Sequence, residues 1–125
     1  MHETDMTKAL ILTVTDWWDS QPGHPVIEAI HLMVGQFTCV EPASLQFAFE
    51  AQTQQTFLEG VKLVIQDVPL VAFCHRCQQD YRPTIGLQYA CPTCQSPMED
   101  IRSGRELKID RIEYHSVPTP SVASN

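Results

Sequence analysis

The chain has 125 residues, of which 43% are hydrophobic, and it carries a formal net charge of −7. This length accommodates one compact domain or a small domain with a smaller module, and the hydrophobic content is typical of a globular protein rather than a disordered one. The acidic balance argues against a surface built to bind the phosphates of a nucleic acid.

The first predicted element is an amphipathic helix over residues 4–19, TDMTKALILTVTDWWD. Thr4 or Asp5 can cap its start, and the turn-forming sequence at 21–23 ends it. Apolar side chains recur in it at three- and four-residue spacing, which predicts one buried stripe: Met6, Leu10, Val14 and Trp17. The helix begins almost at the first residue, so we expect it to hold His2 against a folded body.

A strand, a short helix and a second strand are predicted next. Residues 26–35 alternate in polarity, which indicates a half-buried strand, with Ile30, Leu32 and Val34 on one face and Ala29, His31 and Met33 on the other. Pro42 opens a short helix at a position where proline is tolerated. A turn at Glu59-Gly60 then leads into a strand over residues 61–68.

The character of the chain changes after Pro69 and becomes rich in cysteines and turns until about Met98. A last strand pattern covers residues 105–114, and its alternation slips at Asp110-Arg111, which predicts a bulge or a strand exit there. Because two strands flank the cysteine-rich segment, we expect that segment to sit at the tip of a long hairpin.

The predicted fold class is α+β, a small three-stranded sheet with two helices plus an inserted zinc-ribbon module with four cysteine ligands. The predicted domains are an α+β domain over residues 1–69 and 98–115 and a zinc-binding module over 70–97. The tail 116–125 has no apolar periodicity, so we expect it to be disordered.

Four cysteines form two C-x-x-C pairs separated by 13 residues: Cys74, Cys77, Cys91 and Cys94. Each pair can place two thiolates on one side of a tight turn, and two such turns supply the four soft ligands that suit a tetrahedral zinc ion. All four positions are then filled, which is typical of a structural site rather than a catalytic one. His75 could replace one ligand but is expected to be solvated, and Cys39 is expected to be a small buried residue.

No apolar run approaches the roughly 18–20 residues of a membrane helix, and residues 9–12 follow acids rather than a basic region. We therefore expect no membrane span and no signal peptide, and we place the chain in the cytoplasm. In that compartment cysteines are typically metal ligands rather than disulfides.

The chain starts with the sequence MHETD. The Met1 amine, the following amide and the His2 imidazole Nδ1 can close adjacent chelate rings around one metal ion, with nitrogen donors in a plane. That geometry favours Ni(II) or Cu(II). Taken alone, this pattern is weak evidence for a metal site, because a histidine at position two often arises by chance.

Several stretches taken together resemble the hydrogenase nickel-incorporation proteins, the HypA/HybF family. They are the start MHE, VGQFTCVEPASLQFAFE, LEGVKLVIQDVP, the paired C-x-x-C and SGRELKIDRIE, and the resemblance runs in order over residues 1–114. It implies a nickel metallochaperone with structural Zn²⁺ in the inserted module and Ni²⁺, as delivered cargo, at the N-terminus.

Carried over to this sequence, the resemblance implies nickel ligation by the Met1 amine and His2, with the Glu3 amide as a further donor and Glu41 as a second-rank candidate. It implies zinc ligation by the four paired cysteines. His24, His31 and His115 match no family site and are expected to be solvated. Thr4-Asp5 departs from the Leu-Ser commoner in the family, which bears on packing at the terminus and on partner choice. Extending the chain before Met1 is expected to break the chelate, since the terminal amine is itself a ligand.

The predicted function is delivery of nickel during maturation of nickel–iron hydrogenase, without enzymatic activity. The family resemblance implies a HypB-like maturation GTPase and the hydrogenase large subunit as partners and is compatible with a homodimer. This chain itself lacks the P-loop pattern of a GTPase. Whether urease or other nickel enzymes are also served is left open at this point.

Two other classes compete with this interpretation. A zinc-ribbon protein that docks on nucleic acid or on a transcription complex would use the same cysteines, but the chain lacks a Lys/Arg cluster around them. A thiol–disulfide oxidoreductase would also use C-x-x-C, but the thioredoxin-like βαβ context is missing.

Overall fold

The computed structural model describes residues 3–116. Two helices, α1 and α2, and six strands, β1 to β6, follow one another along the chain: α1 Glu3–Ser20, β1 Val26–Gly35, α2 Pro42–Gln52, β2 Lys62–Val68, β3 Val71–Cys74, β4 Gln79–Tyr81, β5 Asp100–Ser103 and β6 Leu107–His115. The strands form two three-stranded sheets, one in the order β2-β1-β6 and one in the order β4-β3-β5. The α+β class with an inserted four-cysteine module is confirmed.

The two helices form as their sequences predict. In α1 three residues of the predicted stripe, Met6, Leu10 and Val14, are buried, whereas the fourth, Trp17, is only half-buried. α2 buries Leu45 and Phe49, and the two helices contact each other. These apolar contacts, rather than intrinsic propensity, give short helices most of their stability.

The predicted hairpin is wrong. The strands on either side of the cysteine-rich segment, β2 and β6, are not paired with each other, because β1 lies between them. The central position goes to the most deeply buried strand, in which five side chains are core residues: Ile27, Ala29, Ile30, Leu32 and Val34. A strand buried in this way needs neighbours on both edges to satisfy its backbone N–H and C=O groups.

The chain divides into two compact units, and each has its own buried residues. The first unit comprises residues 3–31, 41–64 and 110–116 of the described chain, and it contains both helices. The second comprises residues 32–40 and 65–109 and contains all four paired cysteines. The second unit has five basic and five acidic residues, so the −7 net charge of the chain comes from the first. The domain boundaries predicted from the sequence stay a prediction, and residues 117–125 of the predicted tail lie outside the described residues.

The turn after β1 packs closely against the backbone that leaves β5. The Gly35 N–H donates to the Glu106 carbonyl at 2.7 Å, and the Phe37 N–H donates to the Gly104 carbonyl at 2.8 Å. A Cβ atom on Gly35 would lie only 2.0 Å from the Gly104 oxygen. Position 35 therefore tolerates only glycine, for a steric reason that composition and periodicity do not reveal.

Gly35→Ala is expected to destabilise the zinc-loaded protein by about 3 kcal/mol, because the two backbones must separate. For a chain of this size, the thermal unfolding midpoint should fall by roughly 10 °C. Gly86→Ala is the control, since Gly86 has a positive φ of 85° but open space around its Cβ position. It should cost only about 1 kcal/mol of backbone strain. Equal midpoints for the two variants would show that the Gly35 contact is not rigid.

Two further expectations differ from the structure. Cys39 is exposed rather than buried, because it ends a short 3₁₀ turn in a left-handed conformation, with φ of 60°. His31 is not simply solvated, since its Nε2 lies 2.5 Å from a Glu113 carboxylate oxygen and its side chain is only 20% exposed. His24 and His115 are exposed, although His24 stacks on Trp18 and His115 contacts Glu28. Within residues 3–116, the helices are too short or too polar to cross a membrane.

Candidate metal sites

The four paired cysteines converge on one point in the second unit. Cys74 ends β3, and Cys77 lies in the turn between β3 and β4. Cys91 and Cys94 lie in the loop that precedes β5. Their sulfur atoms all lie within 4.8 Å of one another, and none of the four is in a disulfide. Cys74 and Cys91 are buried beside Ala72 and Tyr81, so the sulfur cluster is also the core of the small sheet.

The spacing of the sulfurs fits zinc. The Cys74 and Cys94 sulfurs are 3.5 Å apart, and those of Cys77 and Cys91 are 3.9 Å apart. A tetrahedral zinc ion with Zn–S bonds of about 2.3 Å requires sulfurs about 3.8 Å apart. Four thiolates in this arrangement leave no position open for a substrate, so the site suits a structural ion. His75 is not among the clustered ligand atoms, because its Nε2 pairs with Asp100 at 3.2 Å.

The two C-x-x-C turns share one local structure that the sequence analysis missed. Each pair is followed by a glutamine, Gln78 or Gln95, in the left-handed conformation, with φ of 56° and 64°. Each glutamine side chain donates to the carbonyl one residue after the first cysteine of its pair, at His75 and Pro92 respectively. The repeated pattern C-x-x-C-Q was visible in the sequence and would have predicted two equivalent turns.

Hydrogen bonds shift the pKa values of two of the thiols, Cys94 and Cys77, in opposite directions. The Ser96 hydroxyl lies 3.0 Å from the Cys94 sulfur, and together with the Ser96 amide it lowers the pKa of Cys94 to about 6. Hydrogen bonding to Cys94, with burial, raises the pKa of Cys77 to about 12. A zinc ion that takes all four sulfurs as thiolates must therefore displace protons, so zinc affinity should rise with pH. Ser96 is a third residue, after Gln78 and Gln95, that the sequence analysis missed.

Two of the four nickel candidates, Glu3 and Glu41, lie within the described residues. Of the four, Met1 and His2 lie outside the described residues, and Glu3 is the first residue of α1. Glu41 is the N-cap of α2, where its carboxylate accepts a hydrogen bond from the Ala43 N–H at 3.2 Å. The structure brings Glu3 and Glu41 together, since the Glu41 N–H donates to a Glu3 carboxylate oxygen at 3.3 Å.

Further hydrogen bonds hold the first turn of α1 in place. The Gln52 side chain, at the other end of α2, donates to the Thr4 carbonyl at 3.2 Å. The Thr7 hydroxyl donates to the Glu3 carbonyl at 2.7 Å, and Thr7 is fully buried. The first turn of α1, which follows residues 1 and 2 in the chain, is thus anchored to both ends of α2.

Comparison with known proteins gives one family. A family model described as hydrogenase/urease nickel incorporation, metallochaperone, hypA matches residues 1–114. The chain is 75% identical over 115 residues to guanidine hydrolase-activating protein A of Synechocystis sp., covering 92% of this chain and 96% of that one. It is 70% identical over 113 residues to hydrogenase maturation factor HypA of Synechococcus sp., covering 90% and 86% respectively.

The fold is similar to that of solved structures. The solution structure of the Ni metallochaperone HypA from Helicobacter pylori superposes with a TM-score of 0.64 over 94% of this chain and 100% of that one. The sequence identity is 21%, so this likeness establishes the fold alone.

Proposed function

Because the chain belongs to the HypA family of hydrogenase/urease nickel incorporation metallochaperones, we propose that it binds Ni(II) at its N-terminus and delivers it during maturation of nickel–iron hydrogenase. The observation that carries the proposal is the family match from residue 1 to 114, which includes the Met-His-Glu start and both cysteine pairs. The contact between Glu3 and Glu41 supports it, since it brings together the two carboxylate residues among the nickel candidates.

The donors proposed for nickel are the Met1 amine, the backbone amide that follows it and the His2 imidazole, which together give planar nitrogen coordination. The Glu3 amide is a further candidate donor. One oxygen of the Glu41 carboxylate caps α2 by accepting a hydrogen bond from the Ala43 N–H, so this side chain already has a structural role. We therefore assign Glu41 a weaker role, and the Glu3 side chain serves mainly to fix the start of α1 beside it.

The zinc ion proposed for the four cysteines is structural. It would cross-link β3 to the loop before β5 and so replace the large apolar core that a unit of this size lacks. Nothing in this arrangement requires catalysis, and the protein acts as a carrier rather than as an enzyme. Its proposed partners are a HypB-like GTPase and the hydrogenase large subunit, and its proposed compartment is the cytoplasm.

Complementation of a bacterial strain from which its own HypA-family gene has been deleted tests the delivery function. The native chain should restore hydrogenase activity at low external nickel, and a His2→Ala variant should not. A Cys39→Ala variant is the matched control, because Cys39 is exposed and far from the cysteine cluster in the chain. Restoration by His2→Ala equal to that by the native chain would contradict nickel delivery from the N-terminus.

A guanidine hydrolase is the second candidate client. The observation that favours it is the relative with 75% identity, which is named for activating that enzyme. The identity to a hydrogenase maturation factor is nearly as high, at 70%. Sequence similarity alone therefore does not decide whether the client is the guanidine hydrolase or the hydrogenase. The same complemented strain, supplied with a guanidine hydrolase, distinguishes them. Restoration of guanidine hydrolysis alone would assign that enzyme as the client, and restoration of both activities would assign a shared nickel donor.

A further inference from the structure

A cleft of about 500 Å³ lies between α2 and the start of β2, and all of its lining residues belong to the first unit. α2 forms one wall, and the turn after α2 forms the other together with the first residues of β2. Val61 is half-buried and Val64 is exposed, so the lining offers apolar surface, and Glu50, Glu59 and Lys62 add exposed charges. Ligand sites in proteins have volumes of about 300–1,000 Å³ and combine an apolar lining with a few polar groups. The cleft thus has the size and the composition of a binding site.

Hydrogen bonds fix both walls of the cleft. The Gln46 side chain, on α2, donates to the Leu63 carbonyl of β2 at 2.5 Å, which joins one wall to the other. In the turn after α2, the Gln55 N–H donates to a Glu59 carboxylate oxygen at 3.0 Å, and the Leu58 side chain is fully buried. A preformed site costs less conformational entropy to fill than one that must first be ordered.

The charges of the lining favour a cationic ligand. Residues 41–61, which supply α2 and the turn, contain three carboxylates and no Lys, Arg or His. Among the described residues, Lys62 is the one basic residue of the lining, against two acids. Within residues 3–116, the Glu50 carboxylate makes no hydrogen bond or ion pair, so it is available to a ligand. These carboxylates repel an anion such as a phosphate and attract a cation.

A guanidinium group suits this lining better than a metal ion. In the described part of the chain, the cysteine cluster is the one place where three or more His, Cys, Asp or Glu ligand atoms converge, so Glu50 and Glu59 lack a third metal ligand. The guanidinium group of an arginine pairs with a single carboxylate through two parallel N–H donors. Its aliphatic stem and a neighbouring apolar residue can pack on apolar surface such as that of Val61 and Val64.

We propose that this cleft binds a short segment of a partner protein in which an arginine adjoins an apolar residue. The guanidinium group pairs with the Glu50 carboxylate, and the apolar residue packs on Val61 and Val64. The partner is a protein that meets this chain during nickel delivery, and the docking site rests in this respect on the proposed function. A segment that fills only this cleft buries less than the roughly 1,200–2,000 Å² of a stable interface, so it binds weakly on its own.

Titration of the nitrogen-15-labelled, zinc-loaded chain with two short peptides tests the site by nuclear magnetic resonance. Acetyl-Leu-Arg-Leu-amide should shift the amide resonances of cleft residues between 46 and 64, and acetyl-Leu-Glu-Leu-amide should not. Glu50→Lys should weaken binding of the arginine peptide at least roughly tenfold, because it replaces an attractive charge pair with a repulsive one. Asp16→Lys is the matched control, since it makes the same charge change at an exposed position of α1. It should bind the arginine peptide like the native chain.

Complementation of the deletion strain separates this docking site from nickel delivery itself. Glu50→Lys should keep the native nickel affinity in calorimetry but restore less hydrogenase activity than Asp16→Lys. If the native chain restores no activity, the proposed function is wrong, and the peptide titration still decides whether the cleft binds arginine. The docking site would be overturned by a native chain that does not bind the arginine peptide, by equal shifts with both peptides, or by unchanged peptide affinity in Glu50→Lys. Full hydrogenase activity with Glu50→Lys would also overturn it.

Discussion

Replacing Cys91 with Ala is expected to lower the zinc affinity of the protein roughly 100- to 1,000-fold, as one of four thiolates that together supply about 10–16 kcal/mol is lost. Cys91 is 1% exposed, and its sulfur belongs to the cluster that is also the core of the small sheet. The order of β3, β4 and β5 should therefore be lost with the metal. Zinc is counted by competition with a chelating dye, and the sheet is followed by near-UV circular dichroism, to which Tyr81 and Tyr89 of this unit contribute.

The first unit should survive this change, because its buried residues lie on α1, α2, β1 and β2 rather than around the sulfurs. Both tryptophans of the chain, Trp17 and Trp18, are in α1, so tryptophan fluorescence reports this unit separately. It should be unchanged in Cys91→Ala. Cys39→Ala should keep zinc and both signals. Full zinc retention in Cys91→Ala would contradict the four-sulfur site.

Local sequence was a good guide to the elements of this fold and a poor guide to their arrangement. The helix over residues 4–19 and the strand over 26–35 were predicted nearly to the residue, since spacing and capping are encoded within each segment. The strands that flank β1 in the sheet were not predicted, because strand order depends on which strand is buried most deeply in the whole sheet. The close contact of Gly35 with Gly104 joins residues 69 positions apart, so it leaves no local pattern.

The zinc cluster was predictable because the geometry of each C-x-x-C turn is local and only two turns had to meet. The exposure of Cys39 was not predictable from the sequence. It follows from the left-handed conformation of Cys39 at the end of a 3₁₀ turn, and no sequence motif indicated that turn. The contact of Glu3 with Glu41 spans 38 residues, and only the family resemblance had grouped the two. His31 was predicted to be solvated because its partner, Glu113, is on a strand whose pairing was not foreseen.

Nickel is expected to leave the protein as the pH falls through about 7 to 6. A terminal amine titrates near about 7.7 and a histidine near about 6.5 in reference peptides, and each must lose its proton before it can bind the metal. Protonation therefore competes with nickel at both donors. Four thiolates hold zinc more firmly, so zinc should be retained over the same range. A nickel affinity that is constant from pH 8 to 6 would argue for donors other than these two.

The most direct test of the N-terminal site compares the native chain with one that carries two glycines before Met1. A single added residue is unsuitable, because it would make histidine the third residue and offer nickel a new set of four planar nitrogens. With two added residues, the amine is separated from the imidazole by three peptide bonds, and the chelate around His2 cannot form. Calorimetry of the two zinc-loaded proteins at pH 7.5 should show at least a roughly 100-fold loss of nickel affinity on extension. Zinc content and tryptophan fluorescence should stay unchanged. Equal nickel affinities for the two proteins at that pH would contradict a nickel site that uses the Met1 amine.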